Sequence, residues 1–165
     1  MVRKNINRKM RETEKDFSQT PTEGAIRELL VAIKLMEQGY VVSTPIVQNR
    51  YDLIAEKYPN FFRIQVKNLK LDYEKDENHP LSLDQWVIRA FSSPRKQKEI
   101  YGKEDIDVVF AINLDSHDYA IIPIEKIPLS GIVKISVKSD RKNYLNSFIA
   151  LEEQIELKSG IIRRL

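Results

Sequence analysis

Two short apolar runs separated by a turn constrain the fold of this chain more than any other feature of its sequence. The runs Tyr51–Glu56 and Phe61–Val66 flank the four residues Lys57–Asn60, which include a proline and an asparagine. Proline and asparagine are favoured in tight turns, and apolar runs of this length on either side of a turn are typical of strands. We therefore predict a β-hairpin from Arg50 to Asn68, with its turn centred on the last two of these four residues.

Side chains alternate along a strand, so the predicted hairpin has an apolar face and a polar face. With the turn so centred, Asp52 lies opposite Lys67 and Ile54 lies opposite Gln65. The apolar face consists of Leu53, Ala55, Ile64 and Val66. On the polar face, Asp52, Gln65 and Lys67 are within side-chain reach of one another across the strands. An acid, an amide carbonyl and a lysine arranged in this way can hold a divalent cation and a phosphate. The alternative is a solvated face with an ordinary Asp–Lys pair.

The composition limits the classes of protein to which the chain can belong. A length of 165 residues with 42% hydrophobic and 31% charged residues is typical of one soluble globular domain. The sequence contains no apolar run of membrane-spanning length and no signal-peptide pattern, so we predict a cytoplasmic, intracellular protein without membrane contact. The absence of cysteine excludes disulfides and thiolate metal sites and weakly supports that prediction.

Charge and histidine content narrow the kinds of ligand that the chain can bind. Histidine occurs only at positions 79 and 117, which disfavours a histidine-rich zinc site. We expect His79 to be an exposed loop residue rather than a ligand, and we assign no chemistry to His117. Any metal is therefore expected to be a hard cation held by oxygen ligands. The net charge of +3 permits nucleic-acid binding without requiring it.

The segment before the hairpin carries the clearest helix signal. Thr20–Glu23 has the pattern of a capping box with a proline at the first helical position, and the helix should run to about Gln38 and end at Gly39. At helical spacing, one broad apolar face is predicted to be the buried face. Its residues are Ala25, Ile26, Leu29, Ala32, Ile33 and Met36, and Arg27, Lys34 and Gln38 lie on the opposite side.

One acid of this helix is placed unusually. Glu28 lies between Ala32 and Leu35 at the edge of the predicted buried face, where a carboxylate needs a partner. It either forms a salt bridge with a nearby lysine or arginine or contributes to a metal site. After the helix, Tyr40–Thr44 is predicted to be a strand and Pro45–Asn49 a loop that leads into the hairpin. Helix, strand and acid-bearing hairpin follow one another in the order of an αβββ nuclease core.

Four segments resemble the PD-(D/E)xK nuclease superfamily, and within it the group I intron homing endonucleases of that fold. They read GAIRELLVAIKLMEQGY, RYDLIAE, RIQVKN and IDVVFAINLDSHDYAIIP. The resemblance covers Gly24–Lys67 well and Asp105–Ile127 less closely. Glu28, Asp52 and the triplet from Gln65 to Lys67 match the order and spacing of the superfamily's helix acid, strand acid and acid-x-Lys motif. The resemblance implies a mixed α/β, restriction-endonuclease-like fold with an αβββαβ core and a mixed central sheet.

The same resemblance implies a Mg²⁺-dependent DNA endonuclease, with Mn²⁺ as a substitute and double-stranded or branched DNA as the substrate. Asp52, the Gln65 side-chain oxygen and the Val66 carbonyl would hold the cation. Lys67 would orient the attacking water or offset the phosphate charge, and Glu28 would bind through a metal-bound water. Gln65 occupies the place of an acid, which favours one weakly held cation. The alternatives are a Holliday-junction-resolvase-like enzyme and a non-catalytic nucleic-acid-binding module that keeps the fold.

Basic residues outside this site are candidates for DNA contact. Residues 1–19 form either a solvated leader or a basic arm that follows the phosphate backbone, with Arg8, Lys9 and Arg11 in its middle. A short helix is predicted over Arg95–Tyr101. Together with Arg89, its basic residues Arg95, Lys96 and Lys98 form either a DNA-facing patch or a solvated helix face.

The domain is predicted to span residues 20–157, with a basic tail at 158–165. In its second half, an exposed loop is predicted over Leu69–Leu83, as part of an insertion that ends at about residue 84. A helix is predicted at Lys142–Gln154. The strands predicted between them are Gln85–Phe91, Asp107–Asn113, Tyr119–Pro123 and Ile132–Val137. Trp86 is predicted either to be buried or to stack on a base or an interface.

Because one site cuts one strand at a time, a homodimer or homotetramer is expected.

Overall fold

The computed structural model describes residues 21–72, 85–92, 97–136 and 138–162, with the side chains of 161 and 162 excepted. The predicted basic arm, most of the loop after β3 with His79, and Arg95 and Lys96 lie outside these residues. Helix α1 spans 21–37, and helix α2 spans Ile149–Ile162. The strands are β1 Val41–Ser43, β2 Leu53–Lys57, β3 Asn60–Asp72, β4 Gln85–Arg89, β5 Phe91–Ser92, β6 Glu99–Ile100, β7 Val108–Ile112, β8 Tyr119–Pro123 and β9 Ile132–Ile135.

Within the described residues, seven of these strands form one mixed sheet. Its path runs β1-β2-β3-β4-β9, and β7 pairs with β3 and carries β8 on its other side. The pairing of β3 with β7 is parallel, whereas the other pairings in this sheet are antiparallel. Strands β5 and β6 form a separate antiparallel pair. Every residue of β7 is buried, so the prediction of a central strand at Asp107–Asn113 is confirmed.

The end of α1 is set by a glycine with positive φ. Gly39 has a φ of 81°, and its N–H donates to the Met36 carbonyl at 2.9 Å. The Tyr40 N–H donates to the Leu35 carbonyl at 3.1 Å. These two bonds form a Schellman motif, in which glycine is favoured because a side chain would strain the left-handed conformation. The predicted helix end is confirmed, and it directs the chain into β1.

The side of α1 that packs on the sheet is not the predicted one. Val31 and Leu35 are fully buried, whereas the predicted apolar face is largely exposed to solvent. The half-buried Lys34, predicted to lie on the solvent side, has its ammonium 4.7 Å from the centre of the Tyr119 ring. The prediction was wrong because α1 carries apolar residues on both sides, and periodicity does not tell which side meets the chain's own sheet.

The hairpin is confirmed, but its register differs from the predicted one by two residues. Lys57 pairs with Asn60, so the turn residues are Tyr58 and Pro59. The observed register places the large Phe62 side chain opposite the small Ala55, and both are fully buried. A shift of two keeps every side chain on its predicted face, because the alternation has a period of two.

Three further predictions need correction. Residues 69–72, predicted to begin an exposed loop, continue β3, where Leu69 is fully buried opposite Ile88. The predicted helix at 95–101 is absent from its described part, since residues 99–100 form β6. The C-terminal helix begins at Ile149 rather than at 142, because a 3-10 turn over Asp140–Tyr144 and an isolated bridge from Leu145 to β8 come first. It continues to residue 162.

None of the helices in the described part of the chain is both long and apolar enough to cross a membrane.

Candidate active site

Asp52 lies immediately before β2, next to an interruption in the pairing along β3. The β2 pairing ends at Leu53–Ile64, and the β4 pairing begins at Leu69–Ile88. Between these points the backbone N–H of Val66 donates to Asp52 Oδ2 at 2.8 Å. The carboxylate thus takes the place of a strand partner. Burial raises the pKa of Asp52, and the Val66 N–H, Lys67 and Gln65 offset part of that rise.

Gln65 lies beside Asp52 and is bonded to it directly. Its side chain is buried, and Nε2 is 2.5 Å from Asp52 Oδ2. An amide oxygen in that place would oppose the carboxylate, so the nitrogen is the group that faces it. Asp52 Oδ1 takes no part in this bond or in the bond from Val66. Binding a cation through the Gln65 oxygen therefore requires the amide to turn and release Asp52.

Glu28 approaches the same carboxylate from α1. Burial raises the pKa of Glu28, and the negative charge of Asp52 raises it further. Glu28 and Asp52 line the same cavity. The structure thus brings Glu28 close to Asp52, and its role at a metal site stays a prediction. In the described part of the chain, no ion pair to a lysine or arginine is found for it at 4.0 Å or less.

Lys67 lies two residues beyond Gln65 on the same face of β3. Its ammonium donates to the Phe91 carbonyl at 3.2 Å and lies 5.2 Å from the centre of the Tyr101 ring. It is close enough to Asp52 to lower the pKa of that carboxyl against the effect of burial. The structure therefore brings together Glu28, Asp52, Gln65 and Lys67.

These side chains line an open cavity of about 740 Å³. One wall is the loop between β1 and β2, and the other is formed by Ser92, Glu99 and Tyr101. Arg50 joins the walls, since its guanidinium contacts Glu99 at 2.6 Å and Asp105 at 3.2 Å. Glu99 and Asp105 hold the guanidinium in its charged form and raise the pKa of Arg50.

Sequence reasoning missed Arg50 and Tyr101 as site residues. Tyr101 is buried, with Lys67 and Arg50 each 5.2 Å from its ring centre. The contacts of Arg50 connect positions 49 and 55 residues apart in the chain. No local spacing signals such a contact. The arginine just before Tyr51 and Asp52 was the available hint.

Of the predicted DNA-binding residues, Arg89 and Lys98 are described, and Arg8, Lys9, Arg11, Arg95 and Lys96 lie outside the described residues. Arg89 is exposed at the end of β4. Lys98 is also exposed, but its ammonium donates to the Ser130 carbonyl and lies 4.6 Å from the Phe91 ring centre. The Lys98 ammonium is therefore already engaged, whereas Arg89 lines a cavity together with Lys67 and Lys70.

Trp86 is half-buried, so both of its predicted placements, burial and stacking, stay predictions. It packs against the core and lines a cavity of about 550 Å³ together with Arg27, Lys70 and Asn113. His117 is exposed in the turn before β8, with a φ of 60°. Neither residue lines the cavity around Asp52.

The residues around Asp52 fit a divalent cation better than they fit water alone. Glu28 and Asp52 repel each other and are both desolvated, so a cation between them would relieve both penalties. Their oxygens, with the amide of Gln65, are the donors that hard cations prefer. Within the described residues, no cluster of three or more histidine, cysteine, aspartate or glutamate side chains exists that could form a fuller ligand set.

Comparisons with known proteins agree with this geometry. A model of the PD-(D/E)XK endonuclease family matches residues 18–153. A solved structure of a bacterial homing endonuclease, I-Ssp6803I, matches with a TM-score of 0.60 and 15% sequence identity, over 88% of this chain and 98% of that one. None of the curated proteins compared with the chain matches it.

The structural match confirms the predicted fold class, a restriction-endonuclease-like core with a mixed sheet and helices. The family match covers far more than half of the chain and includes Glu28, Asp52, Gln65 and Lys67. The predicted resemblance is confirmed on both grounds. The chain belongs to the PD-(D/E)XK endonuclease family.

Proposed function

We propose that this chain is a metal-dependent DNA endonuclease that hydrolyses phosphodiester bonds, of the homing or restriction-like kind. The observation that carries the proposal is the convergence of Asp52, Gln65 and Lys67, with Glu28 behind them, on one open cavity. An acid pair for a cation and a lysine for a phosphate are the groups that phosphodiester hydrolysis needs. The homing endonuclease match supports DNA as the substrate.

The cation that suits the site is Mg²⁺, with Mn²⁺ as a substitute. Asp52, the Gln65 oxygen and the Val66 carbonyl would hold it, and Mg²⁺ tolerates so few protein ligands because it keeps several waters. When bound, the cation neutralises charge on the phosphate and lowers the pKa of a water. Gln65 brings no negative charge, so we propose one weakly held ion.

The chain's own residues have separate roles in this proposal. Asp52 uses Oδ2 to accept from Val66, which fixes the carboxylate and leaves Oδ1 directed elsewhere. Lys67 offsets phosphate charge or orients the attacking water after leaving the Phe91 carbonyl. Glu28 acts from α1, one water away from the cation. Tyr101 limits the motion of Lys67 by packing against its ammonium.

Replacing Glu28 by glutamine tests its supporting role. We expect slower cleavage, by about 10–100-fold, and a higher Mg²⁺ requirement, because partners behind a metal ligand typically contribute this much. The raised pKa of Glu28 means that its ionised form opposes folding, so the melting temperature at neutral pH should hold or rise. Mg²⁺ titrations of cleavage rate measure the first effect. An unchanged Mg²⁺ dependence with a lower melting temperature would make Glu28 a structural residue only.

The exposed side of the β3–β4–β9 sheet is the surface that we propose for DNA contact within the described residues. Lys70 pairs with Val87, which pairs with Lys134, and Arg89 lies on the same side, two residues along β4 from Val87. Lys70, Arg89 and Lys134 are exposed, with Asp72 as the acid nearby. Lys67 and Lys70 line one cavity with Arg89, so this surface adjoins the site.

Arg89→Ala should weaken DNA binding more than Lys98→Ala, because Lys98 already bonds Ser130. If Arg89 contacts a phosphate, its removal lowers the slope of log affinity against log salt by about 1. Fluorescence anisotropy at several salt concentrations measures this slope. Equal losses in the two variants would place the DNA elsewhere. The same assay on a chain lacking residues 1–19 tests the basic arm.

One experiment distinguishes this proposal from its two alternatives, a Holliday-junction-resolvase-like enzyme and a non-catalytic nucleic-acid-binding module. Supercoiled plasmid and a four-way junction are incubated with the protein in Mg²⁺, in Mn²⁺ and in EDTA. We expect plasmid to be nicked or linearised with either cation and unchanged in EDTA. Strong preference for the junction would favour a Holliday-junction-resolvase-like enzyme. Binding without cleavage under all conditions would overturn the proposal and favour a non-catalytic nucleic-acid-binding module.

A homodimer or homotetramer also belongs to this proposal. Each chain carries one Asp52 site, and concerted cutting of a duplex needs two sites related by a two-fold axis.

A further inference from the structure

An apolar stripe runs along the solvent side of α1. It consists of Ile26, Leu29, Ile33 and Met36, which are 43%, 66%, 48% and 53% exposed. The helix already packs on the sheet through Val31 and Leu35 on its other side, so the stripe is not a loosely packed part of the core. At helical spacing, no charged residue lies within the stripe. Side chains of this size in a row mark an interaction surface more often than scattered single residues do.

The spacing of the stripe is symmetric about its own midpoint. Successive members are three, four and three residues apart, so the order is the same from either end. A two-fold axis across the helix reverses its direction. Under such an axis, Leu29 of one copy meets Ile33 of the other, and Ile26 meets Met36. An apolar surface of this symmetry is complementary to itself, as an isologous interface requires.

The area of the stripe can be compared with that of a stable interface. At about 30 Å² for each methylene group, four half-exposed side chains of this size offer roughly 250 Å². A homodimer interface buries about 800 Å² per partner, of which about 65% is apolar. The stripe thus supplies about half of the apolar area. Ala25, which is exposed next to the stripe on α1, can add to the rest.

We infer that α1 pairs antiparallel with α1 of a second copy of this chain through this stripe. Glu28 lies on the same helix, directed to the Asp52 site rather than to the stripe. Pairing through α1 therefore fixes the helix that supports each site and relates two sites by the same axis. The pairing does not depend on catalysis, whereas its use in cutting both strands rests on the proposed function.

Leu29→Glu tests the pairing against Leu129→Glu. Leu129 is 95% exposed in the turn before β9, so the same substitution there is a matched control. By light scattering, the full chain and the control should have twice the 19.3 kDa mass of one chain, and Leu29→Glu should have the mass of one chain. The dissociation constant should rise at least about 100-fold, because each introduced carboxylate would be buried without a partner against Ile33 of the other copy. Circular dichroism confirms that the variants fold.

A second variant avoids an introduced charge. The chain has no cysteine, so Leu29→Cys combined with Ile33→Cys provides thiols only in the stripe. Oxidation should give a covalent dimer, whereas Leu129→Cys should not. A tetramer that becomes a dimer in Leu29→Glu supports the pairing equally, with the stripe as one of two interfaces.

Three results would overturn the inference. The full chain could be a monomer up to about 100 μM, where an interface of this area should be populated. Leu29→Glu and Leu129→Glu could associate equally, which places the interface elsewhere. A monomer that associates only after deletion of residues 1–19 would show that the chain's own N-terminal segment covers the stripe. A loss of linear plasmid product without a change in mass would concern the proposed function and not the pairing.

Discussion

Replacing Asp52 by asparagine is expected to abolish cleavage and, at the same time, to raise the melting temperature at neutral pH. Asparagine has nearly the same shape, and its single side-chain oxygen can accept from both Val66 and Gln65, as Oδ2 does now. It lacks the charge that a cation needs. Loss of metal-based charge stabilisation, several kcal/mol, corresponds to about 10³-fold or more in rate. Plasmid cleavage time courses measure the first effect.

The stability gain follows from the direction of the pKa shift. Burial raises the pKa of Asp52, so the folded state binds the proton more tightly than the unfolded chain does. The ionised carboxylate therefore opposes folding at neutral pH, and asparagine removes that cost. We expect a gain of a few degrees, since about 1 kcal/mol corresponds to about 2–4 °C for a chain of this size. The advantage should disappear as the pH falls through the folded pKa of Asp52.

Asp52→Asn should also eliminate thermal stabilisation by Mn²⁺ or Mg²⁺, which we propose to bind the folded site in the unmodified chain. Asp115, exposed in the turn before β8, is the matched control, and Asp115→Asn should keep both cleavage and the metal effect. A separate readout is the pKa of Glu28, which should fall once the neighbouring charge is removed. Cleavage at the normal rate by Asp52→Asn would refute the assignment of the site.

The face of the hairpin was predictable from sequence even though its register was not. Alternation with a period of two assigned Asp52, Gln65 and Lys67 to one face, and the observed shift by two residues preserved that assignment. The register itself depends on which side chains fill the core, here Phe62 against Ala55. That match is decided by packing across the sheet, which the local turn residues do not encode.

The buried side of α1 was predicted wrongly for a related reason. Ile26 and Leu29 form as strong an apolar pattern as Val31 and Leu35, and only tertiary contacts choose between them. If the stripe pairs with a second copy, both patterns bury apolar surface, but in different interfaces. Arg50 escaped prediction because its ion pairs connect distant parts of the chain. Contacts between distant parts of the chain thus determine the buried side of α1 and the partners of Arg50, which the periodicity of the sequence does not specify.

The length of β3 was also underestimated. Charged and turn-forming residues after Leu71 predicted a loop from residue 69, yet residues 69–72 pair with β4. The alternation of buried Leu69 with exposed Lys70 was the available strand signal, and the high charge of the following segment obscured it. The extension matters because it carries Lys70 beside Arg89 on the proposed DNA surface.

Replacing Lys67 by alanine is expected to remove cleavage while leaving the cation site in place. A group that stabilises charge on the reacting phosphate contributes about 10²–10³ in rate, so cleavage should fall by at least that factor. Asp52, Gln65 and Glu28 remain, so Mn²⁺ should still raise the melting temperature. The expected combination is a protein that binds metal and DNA without turnover. Cleavage assays and thermal melts in parallel measure the two effects.

The pH dependence of metal binding provides a second readout, which reports the charge of Lys67 beside Asp52. Lys67 is one of the groups that lower the pKa of Asp52 against the effect of burial, so its removal should raise that pKa further. Protons then compete with the cation up to a higher pH, and the pH midpoint of Mn²⁺ stabilisation should move upward. In Asp52→Asn there should be no midpoint to move.

Lys70 provides the matched control, because it is an exposed lysine three residues along the same strand that does not line the cavity around Asp52. Lys70→Ala should keep cleavage close to normal at low salt and leave the pH midpoint unchanged. Lys67→Met, which keeps the apolar length of the side chain against Tyr101, separates loss of charge from loss of packing. If Lys67→Ala and Lys67→Met both cleave normally at saturating Mg²⁺, Lys67 has no role in the reaction. If Lys70→Ala loses as much activity as Lys67→Ala, the loss reflects lower positive charge on this surface in general. Lys67 would then only help to attract the DNA.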